Sequence, residues 1–114
     1  MILNNKKVFM QPCVSETINN NTVLYIETAQ KVIVMNDTAT IIWKLISKSI
    51  EMDSVLSTEQ IAYEICNKYD LDECLLSDVS KDVDDVLETF FKQSLLVRDE
   101  HKLYQSVGRI QSEK

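Results

Sequence analysis

The stretch Lys31-Val32-Ile33-Val34-Met35-Asn36-Asp37-Thr38-Ala39-Thr40-Ile41-Ile42-Trp43-Lys44-Leu45-Ile46 changes its period in the middle. Its first five residues are a short, largely β-branched run, which suits a strand. From Ile41 onward, Ile41, Ile42, Leu45 and Ile46, with Trp43, recur at three- and four-residue spacing, which suits a helix. Asn36 or Asp37 stands at the change, with a side-chain oxygen able to accept from the first free amides of that helix. A strand running straight into a capped helix predicts a mixed α+β domain.

On the N-terminal side, Thr22-Val23-Leu24-Tyr25-Ile26-Glu27 is a second strand-like run. Thr28-Ala29-Gln30 joins it to residues 31–35. Asn19-Asn20-Asn21 separates it from a weaker candidate over Val8–Val14, which Pro12 interrupts and confines to an edge or a lead-in. The chain has one Gly, so hairpin turns that need a left-handed backbone fall to Asn, Asp and Ser. The expectation is a three-stranded antiparallel meander.

On the C-terminal side the first helix is expected to end near Lys48, followed by a loop over 49–56. Ser57-Thr58-Glu59-Gln60 reads as a capping box opening a second helix over about 58–69, with Ile61, Ala62, Ile65, Cys66 and Tyr69 inward. After a connection over Asp70–Leu76, Ser77 or Asp78 is placed to cap a third helix reaching about Ser94. It carries Val79, Val83, Val86, Leu87, Phe90 and Phe91 on one broad stripe. Leu95-Leu96-Val97 follows as a short strand or an apolar terminus. The fold class is therefore α+β and winged-helix-like, a meander followed by three helices. Residues 1–97 form one domain and 98–114 a polar tail, in which Leu103–Val107 could pair as a strand.

Composition bounds the function. The 114 residues are 45% hydrophobic and 26% charged, which fits one globular domain. Residues 1–50 carry five lysines against three acids, whereas residues 51–100 carry fourteen acids against four bases. A helical half so acidic repels phosphate, so nucleic acid is not an expected partner. Cys13, Cys66 and Cys74 form no CxxC and leave one thiol unpaired in any bridging scheme, so reduced thiols and a cytoplasmic setting are expected. Cys66 falls at a core position of the second helix. His101 is the sole histidine and lies far from the cysteines, so neither a metal nor a cofactor is expected. No apolar run has signal-peptide or membrane-spanning length, so no membrane partner is expected. No nucleophile has a neighbouring base, and Asp82, Asp84 and Asp85 mix faces of one helix, so the chain is not read as an enzyme.

Met35-Asn36-Asp37-Thr38-Ala39-Thr40-Ile41-Ile42-Trp43-Lys44-Leu45 resembles the Leu-Asn-x-Thr-Ala-x-x-Ile-Trp-x-Leu signature of PqqD-like proteins. Ser57–Ala62 resembles the start of their second helix. Asp82-Val83, Val86-Leu87, Phe90 and Ser94-Leu95-Leu96 resemble the pattern of their third. The likeness covers about residues 20–97. Ser94 and Asp70 stand where the family usually has Gly, which implies different caps on the third and second helices. The 49–56 loop is longer than usual, and the residues after 97 are an extension.

The resemblance implies a recognition element for ribosomally made, post-translationally modified peptides. Such a protein binds the leader segment of a precursor peptide and presents its core to a tailoring enzyme, often a radical SAM protein, a cyclase or a protease. It also implies that the leader adds as a strand to the last strand of the meander, beside the third helix. An open edge offers the backbone groups such a peptide needs. The implied contacts are Lys31, Val32, Ile33, Val34 and Met35, with Ser80, Val83, Asp84 and Leu87 on the helix.

Each has a plainer structural reading. Val83, Leu87 and one of Ile33 and Met35 read as core, Lys31 as an edge lysine, Asp84 as a solvated carboxylate and Trp43 as a packing anchor. The same edge could pair two copies, so the oligomeric state stays open. The alternatives are a winged-helix transcription regulator, opposed by the acids on the third helix, and a general protein-interaction adaptor.

Overall fold

The computed structural model describes residues 1–98. The proposed tail over 98–114, and the strand within it at Leu103–Val107, therefore lie outside the described residues apart from Arg98. Seven strands and three helices follow in the order β1 (Ile2–Leu3), β2 (Lys6–Met10), β3 (Val14–Ile18), β4 (Asn21–Ile26), β5 (Lys31–Met35), α1 (Asp37–Glu51), β6 (Val55–Leu56), α2 (Thr58–Lys68), α3 (Leu76–Lys92) and β7 (Leu96–Arg98). A 3₁₀ turn at Glu73–Leu75 leads into α3.

The antiparallel meander is β3-β4-β5. Its first strand lies later than expected. The run read as Val8–Val14 splits at Gln11-Pro12-Cys13, where Pro12 has no amide to donate, and β2 joins a different sheet. That second sheet has the order β6-β1-β2-β7, with β1 and β6 parallel and the other pairs antiparallel. Leu95-Leu96-Val97 resolves into the start of β7, with Leu95 and Leu96 fully buried.

The turns follow the asparagines. Ile18 pairs with Asn21 across Asn19 and Asn20, whose φ angles are 51° and 69°, and Leu3 pairs with Lys6 across Asn4 and Asn5 at 52° and 68°. Consecutive positive φ angles suit the right-handed twist of the flanking strands. Ile26 pairs with Lys31 across a longer turn in which Gln30 takes the left-handed conformation.

The helices depart from expectation at their ends. The Asn36 side chain caps α1 by accepting from the Ala39 amide, and the Ser57–Gln60 capping box is formed on α2. Helix α1 continues three residues past Lys48, and the supposed loop then gives Val55–Leu56 to the second sheet. Such a two-residue strand has no periodicity of its own and exists through its partner β1. Helix α3 starts at Leu76 without a side-chain cap, because the 3₁₀ turn feeds into it and the Leu76 amide donates to Glu73. Ser77 and Asp78 are therefore first-turn residues.

All three helices end in one motif. The amides of Asp53 and Ser54 bond to the Ile50 and Ser49 carbonyls, those of Asp70 and Leu71 to Asn67 and Cys66, and those of Ser94 and Leu95 to Phe91 and Phe90. Asp53, Asp70 and Ser94 all have positive φ. The different caps expected from the missing glycines are not used; the usual left-handed cap is kept, at roughly 1 kcal/mol of steric cost per non-glycine residue.

The core lies between the sheets and the helices. Leu24 and Ile26 of β4, Ile33 and Met35 of β5, Ile42 and Ile46 of α1, Ile61 and Ile65 of α2, Val83, Leu87 and Phe90 of α3, and Leu3 and Val8 of the second sheet form one cluster. Cys66 is buried, and Trp43 packs half-buried against the same cluster.

Candidate functional site

Strand β5 is an edge of its sheet: β4 covers one side, and no described strand covers the other. Side chains alternate, so Ile33 and Met35 face the core while Val32 and Val34 are 64% and 73% exposed and Lys31 is exposed as well. Along a strand in an antiparallel pair, alternate residues turn N–H and C=O toward the neighbour and the rest turn theirs away. The outward set on β5 is unsatisfied by any described strand. It can pair with another extended chain.

Helix α3 supplies the wall beside that edge. A groove of about 190 Å³ is lined by Val32, Ile33, Val34 and Met35, by Ala39 at the start of α1, and by Val86, Thr89, Phe90 and Gln93 of α3. None of these side chains titrates. The Thr89 hydroxyl donates to the Asp85 carbonyl at 3.0 Å, whereas Gln93 Oε1 is buried and has no hydrogen-bond partner among the described residues.

The helical residues that the resemblance implied as contacts do not line this groove. Val83 is fully buried in the core. Leu87, also buried, and Asp84 line a separate cleft of about 550 Å³ on the opposite flank of α3, with Leu3, Lys6, Val8 and Arg98 across from them. Ser80 is half-buried and lines neither groove. Both shoulders of α3 are apolar, so a helical repeat alone does not say which one meets β5. The wheel position of Val86, Phe90 and Gln93 was legible; its pairing with β5 was not.

Asp84 has a structural occupation. The Asn4 side chain both donates to Thr58 Oγ1 and accepts from the Thr58 amide at 2.8 Å, and the Thr58 hydroxyl donates to Asp84 Oδ1 at 2.7 Å. This chain of bonds ties the β1–β2 turn and the start of α2 to α3. Beside it, the Arg98 guanidinium lies 3.8 Å from the centre of the Phe91 ring, a cation–π distance. The outer face of α3 exposes Asp78, Asp82, Asp84, Asp85 and Glu88, an arrangement that opposes entry into a DNA groove.

Other chemistry is sparse. Cys13, Cys66 and Cys74 are free, and burial raises the Cys13 thiol above its ordinary pKa. Burial, with the Asp37 carboxylate second, also raises the Tyr69 phenol. Among the described residues, no group of three or more His, Cys, Asp and Glu side chains is placed to hold a metal, and no helix is long and apolar enough to cross a membrane.

An α+β domain with an open sheet edge flanked by an apolar helix has the geometry to take up an extended peptide by strand addition. The family model described as Coenzyme PQQ synthesis protein D (PqqD) matches residues 21–96, which takes in β4 and β5 of the meander, all three helices and the start of β7. The chain belongs to the PqqD family. Its fold is also that of a solved structure titled "TbiB1 in Complex with the TbiA(beta) Leader Peptide", at a TM-score of 0.60 and 24% identity, over 74% of this chain and 87% of that one. No curated protein matches the chain.

Proposed function

We propose that this protein is a non-catalytic recognition element that binds the leader segment of a ribosomally made precursor peptide and presents it to a tailoring enzyme. The observation that carries the reading is the open β5 edge beside the α3 groove, in a chain of the PqqD family. The leader pairs as a further strand with Lys31–Met35, and its side chains on the face shared with Ile33 and Met35 turn toward Val86 and Phe90 of α3. Backbone pairing supplies affinity without demanding sequence, and the groove supplies register.

That the similarly folded TbiB1 is titled as a complex with a leader peptide supports a leader as the partner. Holding the leader raises the local concentration of the attached core at the enzyme, so modification proceeds as a nearly intramolecular step. The tailoring enzyme is the second partner, of the radical SAM, cyclase or protease kind, and the cytoplasm is the setting. Residues 1–97 constitute the binding domain in this proposal, with 98–114 as its tail. The acidic outer surface of α3 disfavours a DNA-binding alternative.

The test uses a fluorescently labelled synthetic peptide copying the N-terminal segment of a candidate precursor peptide drawn from the protein's own genome. Proline is introduced at Ile33 and at Val34 in turn. The variant that loses an outward amide weakens binding at least about tenfold while keeping its β4 pairing, and the other loses folded stability instead. Unchanged affinity in both, measured by fluorescence anisotropy, sinks strand addition.

A further inference from the structure

The solvent side of the β3-β4-β5 meander is apolar. The pairing register sets its outward side chains in cross-strand rows, Val14–Tyr25–Val32, then Glu16–Val23–Val34, then Ile18–Asn21. Six of these eight are hydrophobic and all six are exposed, Val14 to 69%. An antiparallel sheet with one wet face alternates apolar and polar side chains. Val23-Leu24-Tyr25-Ile26 and Val32-Ile33-Val34-Met35 do not alternate; they have the composition of strands covered on both sides. Leu24, Ile26, Ile33 and Met35 meet the core, while Val23, Tyr25, Val32 and Val34 remain exposed.

Area and charge decide what fits there. Together the six side chains expose on the order of 600 Å², at the top of the range for the largest apolar patch of a soluble monomer. Two such faces laid together bury about 1,200 Å² in all, which is where stable, specific interfaces begin. Sheets stack face to face in this way, with the side chains of the two layers interdigitating. The face carries one ionised group, Glu16, on the edge strand β3 where the carboxylate keeps its water at the rim. A charged partner therefore finds little to pair with, and the face matches another apolar sheet face. The chain's net charge of -6 makes two copies repel overall, but the acids are concentrated in residues 51–100, whose helices pack on the inner side of the meander. Approach through the outer face keeps those acids apart.

We infer that the outer face of the meander is a homodimer interface: a second copy of this chain lays the same rows of valines and tyrosine on these, about a twofold axis. The pairing is face to face, so the β5 edge of each copy stays open. The inference goes beyond the leader-binding reading and does not depend on it.

The test is analytical ultracentrifugation of the full chain over about 1–500 µM, with lysine placed at three exposed valines in turn. The wild-type chain is expected to form a dimer with a dissociation constant in the micromolar range, as an interface of this size allows. Val23→Lys, in the central strand, sets two like charges against each other in an apolar contact and should raise that constant at least about tenfold. Val14→Lys, on an edge strand, disturbs the fold least and should raise it at least about threefold. It decides the matter if circular dichroism shows Val23→Lys unfolded. Val55→Lys, on the second sheet and 66% exposed, should leave the constant within about twofold. Higher salt should hold or tighten the dimer, because it screens the repulsion between two acidic copies. A wild-type chain that stays monomeric over that range, a dimer indifferent to Val14→Lys, equal weakening by Val55→Lys, or dissociation in high salt overturns the assignment.

Discussion

The two flanks of α3 are built from one amphipathic repeat and have different occupations. On the flank toward β5, Val86, Phe90 and Gln93 meet an uncovered strand edge. On the flank toward the second sheet, Asp84, Leu87 and Phe91 meet Leu3, Val8 and Arg98, and the polar groups are engaged in the Asn4–Thr58–Asp84 chain and the Arg98–Phe91 contact. The smaller groove is the one beside a strand edge whose outward backbone groups no described strand pairs, and that edge rather than volume is why the proposed leader site lies there.

The comparison can be broken by exchanging the expected consequences of substitution. The largest effect is assigned to Leu87→Ala, which empties a buried site and should lower stability by about 2–5 kcal/mol in denaturant unfolding. Leader affinity per folded molecule should be unchanged, so a specific loss of binding would return Leu87 to the groove. Val86→Asp places a charge on the apolar wall beside β5 and should weaken the leader at least about tenfold in anisotropy titrations, with a smaller loss of stability than Leu87→Ala.

Asp84→Ala leaves the Thr58 hydroxyl without its acceptor and should lower stability by about 1 kcal/mol, with leader affinity within about twofold of wild type. A larger loss of affinity would show that the carboxylate reaches the peptide. The smallest effect is a gain. Ser94→Gly relieves a left-handed serine next to Gln93 and should raise stability by about 0.5–1 kcal/mol in thermal unfolding, without changing which residues line the groove.

Much of this architecture is local, and the local part was legible. Lys31–Met35 is a strand because its β-branched side chains suit a pleated, half-buried surface, and α1 follows because Asn36 caps it. The Ser57–Gln60 capping box needed four residues to announce itself. Asn19-Asn20 marked its hairpin without glycine. The pieces that escaped are those created by partners distant in sequence. Val55–Leu56 is a strand because Ile2–Leu3 lies beside it, and Val14–Ile18 because Asn21–Ile26 does; the pairing with Lys6–Met10 also decides between the two readings, strand or apolar terminus, that the sequence left for Leu95-Leu96-Val97. The left-handed caps at Asp53, Asp70 and Ser94 reflect hydrogen bonds that close whether or not glycine is present.

By itself the amino-acid sequence determined the last two strands of the meander, the three helices, the apolar stripe on each and the strand with an available edge, because period, capping and turn chemistry act over a few residues. Only the tertiary structure decided which shoulder of α3 faces that edge and that Asp84 belongs to a structural hydrogen-bond chain. A helical wheel has two symmetric shoulders. The asymmetry enters when the second sheet, assembled from the chain's ends and middle, covers one shoulder and leaves the other to β5.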